Sequence, residues 1–223
     1  MGSRRFVIGD VHGCAATLRR LVDDTLRPFP HDRIYLLGDL IDRGPDSKGV
    51  LDFIFELLER GLSVSSVRGN HEEMCLQAGD DHYNLGLWNA NGGQATLESF
   101  QADGPGDIPH RYRDFLASQP LYILLDDFVI VHAGLNFDTH NPFEDTSAML
   151  WTRSPVVDRQ RIGGRRLICG HTPVPRSRLE ASLNSSKIML DNGCVFGGWP
   201  ETGSLAALEL ESMTVQYQEN IDR

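Results

Sequence analysis

The residues of this chain that invite chemistry come in five short groups: Gly9-Asp10-Val11-His12-Gly13, Gly38-Asp39-Leu40-Ile41-Asp42-Arg43-Gly44, Arg68-Gly69-Asn70-His71-Glu72, His132-Ala133-Gly134 and Gly170-His171-Thr172-Pro173. A carboxylate and an imidazole two residues apart, as in Asp10 and His12, can grip a divalent ion together. Taken singly, each group has a plainer reading. Asp10 could cap a helix, Asp42-Arg43 could be a local ion pair, Glu72 suits a first helical turn, and a lone histidine is usually a hydrogen-bonded structural residue. Five such groups in one order are not explained by independent capping needs. Asp10, His12, Asp39, Asn70, His132 and His171 supply two carboxylates, an amide and three imidazoles, with no thiolate. That donor set favours Mn²⁺, Fe, Zn²⁺ or Mg²⁺ over a soft-metal site, and it suits two ions sharing a bridging carboxylate.

What must position these residues is a series of short apolar, β-branched-rich runs, each with a chemical group close behind it. The runs are Phe6–Ile8, Ile34–Leu37, Val64–Val67, Val129–Val131, Leu167–Cys169 and Ile188–Leu190. Continuous apolar runs of this length suit strands covered on both faces. The polar groups then fall at strand C-terminal ends, where open α/β sheets place their ligands. Between the first runs lie helical patterns. Leu18, Leu21, Val22 and Leu26 share a side of Ala15 to Leu26, and Val50, Leu51, Ile54, Leu57 and Leu58 form a stripe within Asp46 to Arg60, with Gly61 as its stop. Strand-helix-strand order argues for βαβ units. Residues 79–110 lack clear periodicity and are expected to form an insertion or small cap on a single domain spanning 1–223. Leu205–Leu208 and Met213–Tyr217 read as antiparallel strands turning near Glu211-Ser212, expected to form a second, antiparallel sheet.

Composition bounds the possibilities. The chain has 223 residues, 40% apolar and 23% charged, which excludes disorder, and its net charge of −10 argues against a nucleic-acid or anionic-membrane partner. The longest apolar stretch, Leu121 to Leu125, is far short of the roughly twenty residues of a membrane span. The first residues run directly into a strand without a signal-peptide pattern, so a cytoplasmic location is expected. Cys14, Cys75, Cys169 and Cys194 are dispersed with no C-x-x-C, and are expected to be reduced and mostly buried.

The ordered motifs GDVHG, GDLIDRG, RGNHE, HAG and GHTP resemble those of the phosphoprotein phosphatase family of metallophosphoesterases, in particular the bacterial and phage branch typified by the lambda phage protein phosphatase. They run from position 9 to 173, most of the chain. The resemblance implies the calcineurin-like metallophosphoesterase fold, an α/β arrangement of two packed mixed β-sheets flanked by helices. It implies Asp10 and His12 on a first metal, Asp39 bridging, and Asn70, His132 and His171 on a second. It further implies His71 as catalytic acid oriented by Asp42, with Arg43 and Arg68 on the phosphate and Arg153 as a weaker match for the same duty.

The chemistry of those side chains agrees. Two cations about 3.5 to 4 Å apart lower the pKa of a shared water toward neutrality and so provide an attacking hydroxide. Guanidiniums suit phosphate oxygens, and an imidazolium paired to a carboxylate can protonate a leaving alkoxide. The reading is therefore a metal-dependent phosphomonoesterase acting on phosphoserine, phosphothreonine and also phosphotyrosine proteins or peptides, with two divalent ions, Mn²⁺ first among them. The alternative is a hydrolase of dinucleoside polyphosphates, like the symmetrical diadenosine tetraphosphatases, which resemble the same motifs but usually lack an acid at the position of Asp42. A non-catalytic phosphate-binding module is disfavoured by the intact ligand set. Outside the motifs, His31, His82, His110 and His140 are expected at the surface, and Trp88 and Trp151 in the aromatic core. Asp191-Asn192-Gly193 and Gly92-Gly93 could be plain turns or could support the site.

Overall fold

Each expected run is a strand in the computed structural model, which describes residues 2–222. In chain order the strands are β1 (Arg5–Ile8), β2 (Arg33–Leu36), β3 (Ser63–Ser66), β4 (Tyr122–Leu124), β5 (Phe128–Val131), β6 (Arg166–Cys169), β7 (Lys187–Met189), β8 (Ser204–Glu209) and β9 (Thr214–Glu219). They form two mixed sheets, β3-β2-β1-β8-β9 and β4-β5-β6-β7. β1, β2 and β3 run parallel, as do β5, β6 and β7. Each parallel triplet is flanked by an antiparallel strand, β8 beside β1 and β4 beside β5.

The period-two geometry of a strand divides the core. Val7, Tyr35, Ile130, Ile168, Ile188, Ala206 and Leu208 meet in one buried cluster between the sheets, so the sheets pack face to face. Phe6, Ile8, Ile34 and Leu36 point the other way, under helices α1 (Ala15–Arg20), whose chain continues as a π-helical stretch over Leu21–Leu26, and α2 (Ser47–Glu59). Val129, Val131, Leu167 and Cys169 form the outer cluster of the second sheet. Asp46 caps α2 by accepting from the Gly49 amide at 2.8 Å, and Gly61, at φ +79°, ends it.

Two expectations are corrected. β8 and β9 do not make a sheet of their own. Leu205 and Ala207 of β8 are buried on the helix side and Ala206 and Leu208 between the sheets, so β8 is an interior strand and extends the first sheet. Residues 79–110 are also more regular than their periodicity suggested. After α3 (Asn70–Gln77) they form α4 (His82–Ala90), α5 (Gly93–Phe100) and a 3₁₀ turn at Pro105–Asp107. Short helices held by one or two buried side chains each, here Trp88 and Leu97, leave no long stripe to read. The remaining helices are α6 (His110–Ser118), α7 (Thr146–Trp151) and α8 (Arg176–Ser182). No helix among the described residues is long and apolar enough to cross a membrane.

Candidate metal centre

Asp10, Asp39, Asn70, His132 and His171 each follow a strand of one of the parallel triplets, and contacts between them gather the ends of both sheets at one rim. Asp39 sits at the middle. Its Oδ2 is 3.5 Å from His12 Nε2, and its Oδ1 is 3.5 Å from His132 Nε2. Two clusters with the geometry to hold an ion result, one of His12, Asp39 and His71 and one of Asp39, His132 and His171, with Asp39 common to both.

The imidazoles are aimed by backbone. His12 Nδ1 lies 3.0 Å from the Ile41 carbonyl and His132 Nδ1 2.8 Å from that of Leu37. A carbonyl only accepts, so each Nδ1 carries the proton and each Nε2 presents a lone pair to the centre. His132 Nε2 then faces Asn70 Oδ1 at 2.9 Å and His171 Nδ1 at 3.2 Å, and the last two are 2.9 Å apart. Electron-rich atoms gathered at this range are what a cation requires. Burial keeps the imidazoles neutral: it lowers the pKa of His12 to about 3 and of His171 to about 4, and lowers that of His132 as well.

Asp10 makes the same case from the other side. Its Oδ2 accepts from the His171 amide at 2.8 Å, while its Oδ1 is buried with no hydrogen-bond partner. Burial, then Asp191 and Asp39, push its pKa well up. An orphaned carboxylate oxygen beside other carboxylates fits a cationic ligand. Asp39 behaves oppositely: burial opposes its charge, but His132, His71 and His12 outweigh burial and hold its pKa below the ordinary range. Backbone strain gathers here as well. Five non-glycine residues at positive φ are His12, Asp39, Asp42, Arg43 and His171.

A sequence model of the calcineurin-like phosphoesterases matches residues 3–180. The chain belongs to the calcineurin-like phosphoesterase family. It is thus an enzyme of a family that hydrolyses phosphoric esters. A serine/threonine-protein phosphatase 1 of Salmonella typhimurium is 31% identical over 208 residues, covering 86% of this chain and 88% of that protein. An asymmetrical bis(5'-nucleosyl)-tetraphosphatase of a Geobacillus species is 29% identical over 220 residues, covering 86% of each. Among solved structures, a protein serine/threonine phosphatase of Saccharomyces cerevisiae superposes with a TM-score of 0.65 at 14% identity, over 99% of this chain and 81% of that one. This calcineurin-like phosphoesterase therefore shares its fold with protein phosphatases, and its sequence with both protein phosphatases and nucleotide hydrolases.

His71 heads α3. Its Nδ1 donates to Asp42 Oδ2 at 2.7 Å, leaving Nε2 turned to the centre, 4.0 Å from Asp39 Oδ2. Burial opposes a charge on this imidazole, but Asp39 and Asp42 outweigh it and raise its pKa above the usual histidine value. Arg43 reaches the same place, with Nη1 donating to His12 Nε2 at 2.7 Å. Arg68 is not brought to the centre: its guanidinium pairs with Glu73 at 3.0 Å and donates to the Ala117 carbonyl. Arg153 is exposed on the segment after α7, close enough to His171 for its charge to help lower that pKa, behind burial and His132.

Several supports were not legible as such. Asp42 is held by three further groups: Trp88 Nε1 donates to Oδ2 at 2.8 Å, Thr96 Oγ1 donates to Oδ1 at 2.6 Å, and the Asp42 amide donates to Ser47 Oγ at 3.0 Å. Glu72 does more than occupy a first turn. Its buried carboxylate accepts from the amides of Gly69, Asp39 and Leu40, each at 2.8 Å, and so fixes the Asp39 loop. Gly92 is a turn that also touches the site, since its carbonyl accepts from the Arg43 amide at 3.1 Å. Asp191 is buried and accepts from Gly193 at 2.7 Å. Trp88 is core as expected, but Trp151 is 43% exposed, with its ring centroid 6.2 Å from that of His171. The four cysteines are free and buried, and His31, His82, His110 and His140 are exposed.

Proposed function

We propose that the enzyme is a metal-dependent phosphomonoesterase that dephosphorylates serine and threonine, and also tyrosine, in proteins. The observation that carries this is the buried His71–Asp42 pair, anchored by Trp88 and Thr96. A serine or threonine alkoxide is a poor leaving group and needs a proton as the P–O bond breaks; a nucleotide leaving from a phosphoanhydride is far more stable as an anion and needs one much less. An acid constrained this tightly is of most use to an ester. Asp10, His12, Asp39, Asn70, His132 and His171 would hold two divalent ions, with Mn²⁺ proposed. When bound, such ions acidify water and offset phosphate charge.

This chain's own residues do the rest. Arg43 is placed to hold a phosphate oxygen, and Arg153 lies within reach of the same side. Arg68 would join them on exchanging Glu73 for substrate. His71, protonated and aligned by Asp42, gives its Nε2 proton to the leaving oxygen. The second reading, dinucleoside polyphosphate hydrolysis, is favoured by the Geobacillus relative, which is named for that activity. A phosphopeptide panel run beside diadenosine tetraphosphate with added Mn²⁺ tests the two: the first reading requires higher kcat/KM on phosphopeptides, and a large preference for the dinucleotide overturns it.

A further inference from the structure

A hollow of about 190 Å³ opens beside the metal centre, and its wall includes Gly170 and Thr172, the two neighbours of His171. Three cationic side chains line it, Arg153, Arg178 and Lys187, and no carboxylate does. In a chain of net charge −10 this is a local excess of positive charge. Arg153 and Arg178 are exposed, and among the described residues neither guanidinium has an ion-pair or hydrogen-bond partner. Most other arginines are satisfied, Arg4 by Asp32, Arg19 by Glu56 and Arg166 by the Ser185 carbonyl, and Arg33, which like Arg153 and Arg178 has no partner among the described residues, lines no part of the hollow. Lys187 is tethered instead: its Nζ donates to the Ser154 carbonyl at 2.8 Å and the Ala133 carbonyl at 3.4 Å. It thereby fixes the segment next to Arg153, with a donor to spare.

Like charges around one hollow repel, and no carboxylate lines it to meet them; an anion entering from substrate would. Gly170 and Thr172, which wall the hollow, flank His171 in sequence, so a side chain next to a phosphoresidue held at the centre is the group placed to enter it. The proposal rests on the phosphoprotein reading. We propose that Arg178 and Lys187, with Arg153 between them and the centre, form a second anion subsite that selects phosphopeptides carrying a carboxylate or second phosphate close to the phosphoresidue.

The test uses the full chain with Mn²⁺ and paired phosphopeptides that differ only in acidic or neutral residues beside the phosphoserine. The acidic-to-neutral ratio of kcat/KM cancels any general effect of a substitution. Wild type is expected to favour the acidic peptides about tenfold, as suits one or two charge-assisted hydrogen bonds, and less at high salt. Arg178→Ala should bring the ratio near one, and Arg178→Glu should invert it. A wild-type ratio near one, or a ratio untouched by both substitutions, overturns the subsite. Paired phosphonate peptides, which cannot be hydrolysed, are measured in parallel as inhibitors of p-nitrophenyl phosphate turnover. If that ester is turned over but no phosphopeptide is, the protein-phosphatase reading fails, and the Ki ratio of the phosphonates, with and without Arg178→Ala, decides the subsite by itself.

Discussion

The indole of Trp88, wholly buried on α4, donates its Nε1 proton to the same oxygen of Asp42 that receives His71 Nδ1. One carboxylate oxygen thus fixes a helix from the 79–110 segment and the proposed catalytic acid at once. Trp88→Phe keeps an aromatic ring in the core and removes the N–H together with part of the indole's volume. It should lower kcat on phosphoserine peptides about tenfold, within the range for a supporting hydrogen bond, with little change in KM. Equal losses on phosphopeptide and p-nitrophenyl phosphate would point to a folding defect instead, because the nitrophenolate needs little protonation.

His71→Asn should keep both metals by elemental analysis while lowering kcat on phosphoserine peptides about 10²-fold or more. Asp39→Asn, which alters the carboxylate common to both ligand clusters, should lose metal. The contrast separates acid from ligand, because His71 also lies in one of those clusters: if His71→Asn loses an ion in proportion to its activity, the acid role is wrong.

The pH profile gives a sign. His71 must be protonated to act, and Asp39 and Asp42 raise its pKa against the opposing effect of burial. Activity on a poor leaving group should therefore fall as pH rises through that raised value. In Asp42→Asn one of the two stabilising charges is gone, so the alkaline limb of kcat should move to lower pH. An unmoved limb would assign it to another group.

Metal removal gives a second sign. Burial raises Glu72 to about 7 and Asp191 to about 7, and Asp10 is raised as well. Without cations the folded chain then holds protons that the unfolded chain releases near pH 4, so the apoprotein should lose stability as pH rises from about 4 to about 7. Bound metal reverses the preference for protons at this cluster. The difference in Tm between Mn²⁺-loaded and chelated protein should widen by several degrees from pH 5 to pH 8, given roughly 2–4 °C per kcal/mol at this size. A constant difference would show that these carboxylates do not share the metal site.

The rim of candidate ligands was readable because each of them follows a strand whose apolar run is itself plain, as Val129–Val131 before His132. The resemblance to family motifs then implied a role for each. Trp88 and Thr96 were not readable as supports of Asp42, because their contacts cross 46 and 54 residues and depend on how α4 and α5 pack. Arg68 shows the converse: its place in a motif is visible, but a side chain that long finds Glu73, five residues on. The fate of β8 turned on which strand lies beside it, and local alternation carries no such information.

A glycine in the last motif offers the sharpest single-atom test. A Cβ on Gly170 would overlap Asp10 Oδ1, the buried oxygen that has no hydrogen-bond partner. The φ of Gly170 is not in the left-handed region, so backbone strain does not confuse the result. Gly170→Ala should push the Asp10 carboxylate off the centre and weaken metal binding by about 10- to 100-fold, the usual effect of disturbing a ligand's surroundings. Gly106→Ala, where a Cβ meets nothing within 4 Å, serves as control and should bind metal normally. If Gly170→Ala also bound metal normally, Asp10 Oδ1 would not be a ligand, and the first of the two proposed ions would lose its carboxylate from β1.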